Sequence, residues 1–166
     1  MAKQGRKEEG IAQISQGLAA TQALGADLSQ PSFITFFAQA CSEAGQPEEG
    51  LTALAEALDL MIRTRARCYE AELYRLKGEL LLMQDASNAL QAESCFQQAI
   101  EVARKQSAKS LELRATTSLA RLLAGQGRRD QARAMLAEIY NWFTEGFDTA
   151  DLQEAKQLLN ELDQKF

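Results

Sequence analysis

One spacing recurs along this chain: a small residue, an apolar one four positions on, and a small or apolar one three further. Gly10-Ile14-Gly17, Gly50-Leu54-Ala57, Ala92-Phe96-Ala99 and Ala132-Leu136-Ile139 all keep it. The copies begin at residues 10, 50, 92 and 132, so the shifts are 40, 42 and 40. Steps of four and three place the anchors of each copy on one helical face. A helical unit of this size cannot bury its apolar face alone, so copies must stack into a solenoid.

Turn residues divide the chain into helices. Ile11, Ile14, Leu18 and Leu24 form one stripe, which predicts a half repeat over 6–25. Asp27 to Ser32 supply cap and turn residues, and Gly45-Gln46-Pro47 separates two helices of a hairpin over 32–63. A second hairpin is expected over 66–106 with a polar turn at Asp85 to Asn88, and a third over 109–143 with its turn at Gly125-Gln126-Gly127. A capping helix follows at 150–163. Phe33, Ile34, Phe37, Ala38 and Cys41 make one expected inner face, and Tyr69, Leu73, Leu76, Leu80 and Leu81 another. Trp142, Phe143 and Phe147 read as a plug before the last helix. Short turns make successive helices antiparallel neighbours. The whole is expected to be a single all-α domain, with nearly half of its 166 residues apolar and only two prolines.

Composition narrows the chemistry. The chain has no His, so the commonest general base and zinc ligand is missing. Cys41, Cys68 and Cys95 lie 27 residues apart, too far for a local metal knuckle, and read as reduced packing thiols. Neither a metal nor a cofactor is expected, and no catalytic residue is assigned. The longest apolar run, Leu80 to Met83, is far short of a membrane span, and no secretory signal core is evident, which points to the cytoplasm. Glu8-Glu9 and Glu48-Glu49 suit helix first turns, and Arg63-x-Arg65-x-Arg67 suits a helix end with bridges to Glu70 and Glu72.

A net charge of −5 argues against binding nucleic acid or an anionic membrane. The distribution is uneven. Eight basic residues and three acidic ones between Glu101 and Arg133 give that segment +5 and leave −10 for the rest. Two readings follow: a surface for an acidic segment or neighbouring domain, or ordinary solvated helix faces.

Ala92-x3-Phe96-x2-Ala99 resembles the second helix of the tetratricopeptide repeat (TPR). Ala38 with Gly50 and Ala120 with Ala132 keep the twelve-residue spacing between small residues of the two helices of such a repeat. Gly78 with Ala92 exceeds it by two, which suggests an enlarged turn at Asp85 to Asn88. The resemblance implies a right-handed α–α superhelix of TPR-like hairpins with a C-terminal cap, and protein binding rather than catalysis. The stretches 72–81, 92–99, 110–115 and 142–149 further resemble the C-terminal repeat region of large bacterial signalling proteins that join a cyclase or DNA-binding domain to an ATPase. No Gly-rich Lys-Ser/Thr phosphate loop occurs, so no nucleotide chemistry carries over.

In TPR proteins the concave groove is lined by first helices. That register assigns Thr35, Gln39, Ser42, Glu72, Arg75, Glu79, Leu82, Arg114, Thr117 and Arg121 to the groove. Arg75, Arg114 and Arg121 either receive carboxylates of a protein or peptide, or pair with Glu72 and Glu79 across adjacent hairpins. Two alternatives stand beside a binding scaffold. Ile11, Ile14 and Leu18 offer an apolar edge for a homodimer, and an enclosed pocket would suit a small-molecule sensor.

Overall fold

The computed structural model describes residues 10–14, 16, 17, 20, 30–64 and 67–164. The described part of the first segment is helical, and seven further helices follow. These are α1 (Gln30–Ala44), α2 (Pro47–Thr64), α3 (Glu70–Gln84), α4 (Ala89–Lys105), α5 (Lys109–Gly125), α6 (Arg129–Tyr140) and α7 (Ala150–Asp163). No strand occurs among the described residues.

Three helix ends share one device. The chain enters the left-handed region at Gly45 (φ 74°), Ser107 (φ 55°) and Gly127 (φ 80°). The next amide then reaches back over the helix end: Gln46 to the Cys41 carbonyl, Ala108 to Ala103 and Arg128 to Leu123, each at 2.9 Å. These bonds satisfy carbonyls that a helix end leaves open and fold the chain sharply into the next helix. Between α3 and α4 the turn differs. A 3-10 turn, Ala86–Asn88, is inserted, with Asp85 accepting from the Ser87 amide at 2.7 Å. It accommodates the longer Gly78 to Ala92 spacing.

Small residues set the distance between the helices of a hairpin. Gly78 on α3 lies flat against the ring of Phe96 on α4; a Cβ there would stand 2.5 Å from Phe96 Cε1. At Gly50 a Cβ would meet Leu80 Cδ1 at 2.7 Å and Cys41 Cβ at 3.1 Å. Ala38, Ala92, Ala120 and Ala132 are likewise fully buried. Larger side chains fill the spaces so created: Leu54, Leu73, Leu76 and Leu80 towards the N-terminal side, Phe96, Leu113, Leu123 and Leu136 towards the C-terminal side. Burying such side chains contributes about 1.5–3 kcal/mol each.

The two helix layers pack unequally. The first helices α1, α3, α5 and α7 each approach the next within 8 Å at Cα, whereas α2, α4 and α6 do not approach one another within that distance. A stack that is tight on one layer and splayed on the other must curve, with the tight layer inside. The first helices therefore line the concave side.

Several apolar residues depart from the expected inner faces. Phe33 and Tyr69 are exposed, and Phe37 is only half-buried. Trp142 is 58% exposed and Phe147 is exposed too, so only Phe143 of the expected plug packs on the core. Tyr140 supplies the contact instead, its ring 5.9 Å from that of Phe147. α6 ends at Tyr140, three residues before Phe143, and so carries Trp142 out into the turn.

Gly78→Ala is expected to destabilise the chain by about 1–2 kcal/mol. Overpacking costs about 1–3 kcal/mol and the better helix propensity of Ala returns up to about 1. Chemical denaturation should show the loss, and adding Phe96→Leu should make the Gly78→Ala step markedly less costly, because the clash is with that ring.

Candidate functional site

The inner layer buries a guanidinium. Arg75 on α3 is 6% exposed. Its Nε donates to Glu72 at 2.9 Å and its Nη2 to the other oxygen of the same carboxylate at 2.7 Å. Nη1 is bound to Glu79, one turn further along α3. Gln39 of α1 accepts from Nη2 at 3.4 Å, and Ser118 of α5 donates to Glu79 at 2.8 Å. Arg114 of α5 closes the cluster by reaching Glu72 at 2.9 Å. Burial alone would lower the basicity of Arg75, but the hydrogen bonds and charges of Glu72 and Glu79 outweigh it and push its pKa up. The arginine stays charged, held bidentately on one side and monodentately on the other.

This cluster floors a polar pocket of about 220 Å³ between α1, α3, α5 and α7. Gln39, Arg75, Glu79, Arg114, Thr117 and Arg121 line it, with Ser118 and two residues of the capping helix, Asp151 and Glu154. A second pocket of about 220 Å³ adjoins it and is mostly apolar. Its walls are Thr35, Phe36, Gln39, Cys68, Tyr69, Glu72, Leu111 and Arg114. Gln39 and Arg114 stand in both, so the two pockets lie side by side along the inner layer.

The register assignment and the geometry can be compared residue by residue. Thr35, Gln39, Glu72, Arg75, Glu79, Arg114, Thr117 and Arg121 all line one pocket or the other, whereas Ser42 and Leu82 line neither of these two. Glu72 and Thr117 are buried, and the Thr117 hydroxyl donates to the Leu113 carbonyl at 2.8 Å. Phe36, Tyr69, Leu111, Ser118, Asp151 and Glu154 were not foreseen. Phe36 lies three residues before Gln39 on α1, so helical spacing from that position points to it, whereas no assigned groove position on α7 leads to Asp151 and Glu154. At the other end, Ile11 is buried and Ile14 half-buried within the chain itself, and the Leu18 side chain lies outside the described residues. The expected apolar edge is thus partly covered already.

The basic segment pairs internally. Arg104 and Lys109 both hold Glu112 at 2.7 Å, Arg128 holds Glu93 at 2.9 Å, Arg121 binds Glu154, and Arg133 binds Asp163. Arg129 donates to the carbonyls of Glu161 and Gln164 at the C-terminal end of α7, where a cation suits the helix dipole. Arg67 lies 3.7 Å from Glu70, while Glu72 turns to Arg75 and Arg114 instead. Arg114, Arg121, Arg128 and Arg133 reach acids outside the segment, so much of its excess positive charge is met by acids elsewhere in the chain.

A crystal structure of a putative kinesin light chain from Podospora anserina with nearly identical TPR-like repeats superposes on 96% of this chain and 78% of its own length, with a TM-score of 0.70 at 15% identity. The fold is TPR-like. No family model and no curated protein matches the sequence. Among the described residues no group of His, Cys, Asp or Glu is disposed to hold a metal ion, and no helix is long and apolar enough to cross a membrane. Burial pushes the Cys41 thiol up to about 11, with the Glu49 carboxylate adding to it, and burial also raises Cys95 despite the nearby Lys77. Both thiols are therefore protonated and poorly nucleophilic at neutral pH.

Two outcomes are expected of the ion pairs. Arg75→Met leaves two carboxylates without their shared cation and should cost about 3–5 kcal/mol in thermal or chemical unfolding, whereas the exposed Arg133→Met should leave the unfolding curve little changed. Glu112 gives a pH test. Burial raises its pKa, but the hydrogen bonds from Arg104 and Lys109 outweigh this and hold it below its usual 4.5. A depressed carboxyl stabilises the fold fully above its unfolded value and loses that contribution as pH falls through the folded one. The stability gap between wild type and Glu112→Gln should be full at neutral pH and shrink as pH falls below about 4.5.

Proposed function

We propose that this chain is a noncatalytic TPR-like scaffold that receives a segment of another protein, or of a neighbouring domain, in the groove formed by α1, α3, α5 and α7. The observation that carries the reading is the adjacency of the two pockets along the concave layer, with polar and apolar walls side by side. An extended segment needs both, because its backbone asks for hydrogen bonds and its alternate side chains for apolar seats. A catalytic role finds little support, since the Cys41 and Cys95 thiols are protonated and the chain has no His.

The other readings are weaker on specific grounds. Both pockets lie open along the concave layer, whereas a small-molecule site encloses most of its ligand's surface. Self-association through Ile11, Ile14 and Leu18 is disfavoured by the burial of Ile11. The resemblance of 72–81, 92–99, 110–115 and 142–149 to the repeat regions of bacterial signalling proteins supports a setting in bacterial signalling or regulation, in the cytoplasm, where such a module would couple a sensory or catalytic domain to its partners.

Gln39→Lys combined with Arg121→Glu alters the groove, whereas Gln97→Arg combined with Ala134→Arg alters exposed positions on the outer layer. Affinity capture from the native lysate should lose its specific partners at least about tenfold with the first pair and retain them with the second. Equal retention by both, with unchanged melting curves, would remove the groove from the proposal.

A further inference from the structure

The groove carries two chemistries in a fixed order, and together they restrict its occupant. Phe36 is 63% exposed on the inner layer and, with Tyr69 and Leu111, walls the apolar pocket. An aromatic ring left open in a concavity gains from a bulky apolar side chain laid against it. The neighbouring polar pocket is not the basic surface that the charge distribution suggests. Arg75 is already held by Glu72 and Glu79, Arg121 by Glu154, and Arg114 by Glu72. Asp151 is held more loosely than these carboxylates. It lies 3.7 Å from Arg114 Nε, beyond hydrogen-bond length, and its side chain is 42% exposed. Three arginines thus meet four carboxylates, and the unmatched charge is negative.

An acidic peptide would have to displace internal carboxylates from these arginines, whereas a lysine or arginine of the partner would meet a surplus one. We infer that the groove takes an extended segment in which a large apolar side chain, seated against Phe36, Tyr69 and Leu111, is separated by a few residues from a Lys or Arg that pairs with Asp151 and Glu154. Gln39 and Arg114, which belong to both pockets, are placed to bind the backbone between the two anchors. This inference rests on the groove-binding reading above and reverses the sign of the partner charge expected from the sequence.

Selection from a random dodecapeptide library on the immobilised full chain tests it, run in parallel with Phe36→Ala and with the double variant Asp151→Lys/Glu154→Lys. Phe36 is exposed and Asp151 and Glu154 half-exposed, and melting curves check that each variant stays folded. The wild type should enrich peptides that pair an aromatic or large aliphatic residue with Lys or Arg. A synthetic peptide of that type should bind each variant at least about tenfold more weakly. Enrichment of acidic peptides whose binding still needs Phe36, or a basic preference untouched by the double variant, would overturn the inference and leave the groove as a peptide site. No enrichment, or binding indifferent to every groove substitution, would overturn the groove-binding reading itself.

Discussion

The buried guanidinium of Arg75 ties together the layer on which the concave side depends. A charge this deeply enclosed is tolerable only when its donors are met by fixed acceptors. Glu72 and Glu79 meet them from the same helix, one turn to either side, so α3 presents a preassembled ionic strip. Ser118 and Arg114 then attach α5 to those carboxylates, and Gln39 attaches α1 to the arginine. A one-residue slip of any of the three helices would strand part of this set. The cluster therefore fixes register within the inner layer, a task that apolar packing performs less selectively because Leu and Ala contacts tolerate small shifts.

Spacing between the two layers has a different origin. Gly78 against Phe96 and Gly50 against Leu80 bring the helices of neighbouring elements closer than any side chain at those positions would permit. The curvature follows from the contrast. First helices approach one another directly and are linked by the ionic and polar contacts of Arg75, Arg114 and Ser118, while second helices are held apart by the first helices wedged between them. Exposed ion pairs such as Arg128 with Glu93 and Arg133 with Asp163 bridge from one repeat to the next near the outer layer. Individually they are weak and screened by salt, so they tune the angle between repeats more than they hold the stack together.

These two origins explain what was legible in the sequence. The second-helix anchors Ala92, Phe96, Ala99, Ala132 and Leu136 are conspicuous because close packing demands a size at each step, and all five are buried. The inserted 3-10 turn was legible as a two-residue excess in spacing. The groove residues followed from register alone, but what they do there did not. Whether Arg75 faces a partner or its own neighbours depends on side chains 3, 4 and 36 to 43 residues away, and only the folded geometry brings these together. Phe36 belonged to no expected face, and Tyr69 was hidden for the opposite reason. An aromatic residue in a helical pattern reads as core, and nothing local distinguishes a ring that fills the interior from one that walls a groove.

The same pairing that neutralises the basic segment separates stability from recognition. Arg75, Glu72 and Glu79 cannot change one at a time without leaving a buried charge unmatched, so they are committed to the fold. Asp151 and Glu154 lie on the last helix, half-exposed, where exchanging a charge costs little. Thr117 and Ser118 beneath them are buried and hydrogen-bonded to the Leu113 carbonyl and to Glu79 respectively. The groove thus has a rigid floor and an exchangeable rim, and the rim is supplied largely by the helix that also covers the end of the core. Because a charge at the rim biases partner choice through its sign while leaving the floor intact, the capping helix is the element on which specificity can change at least cost to the fold.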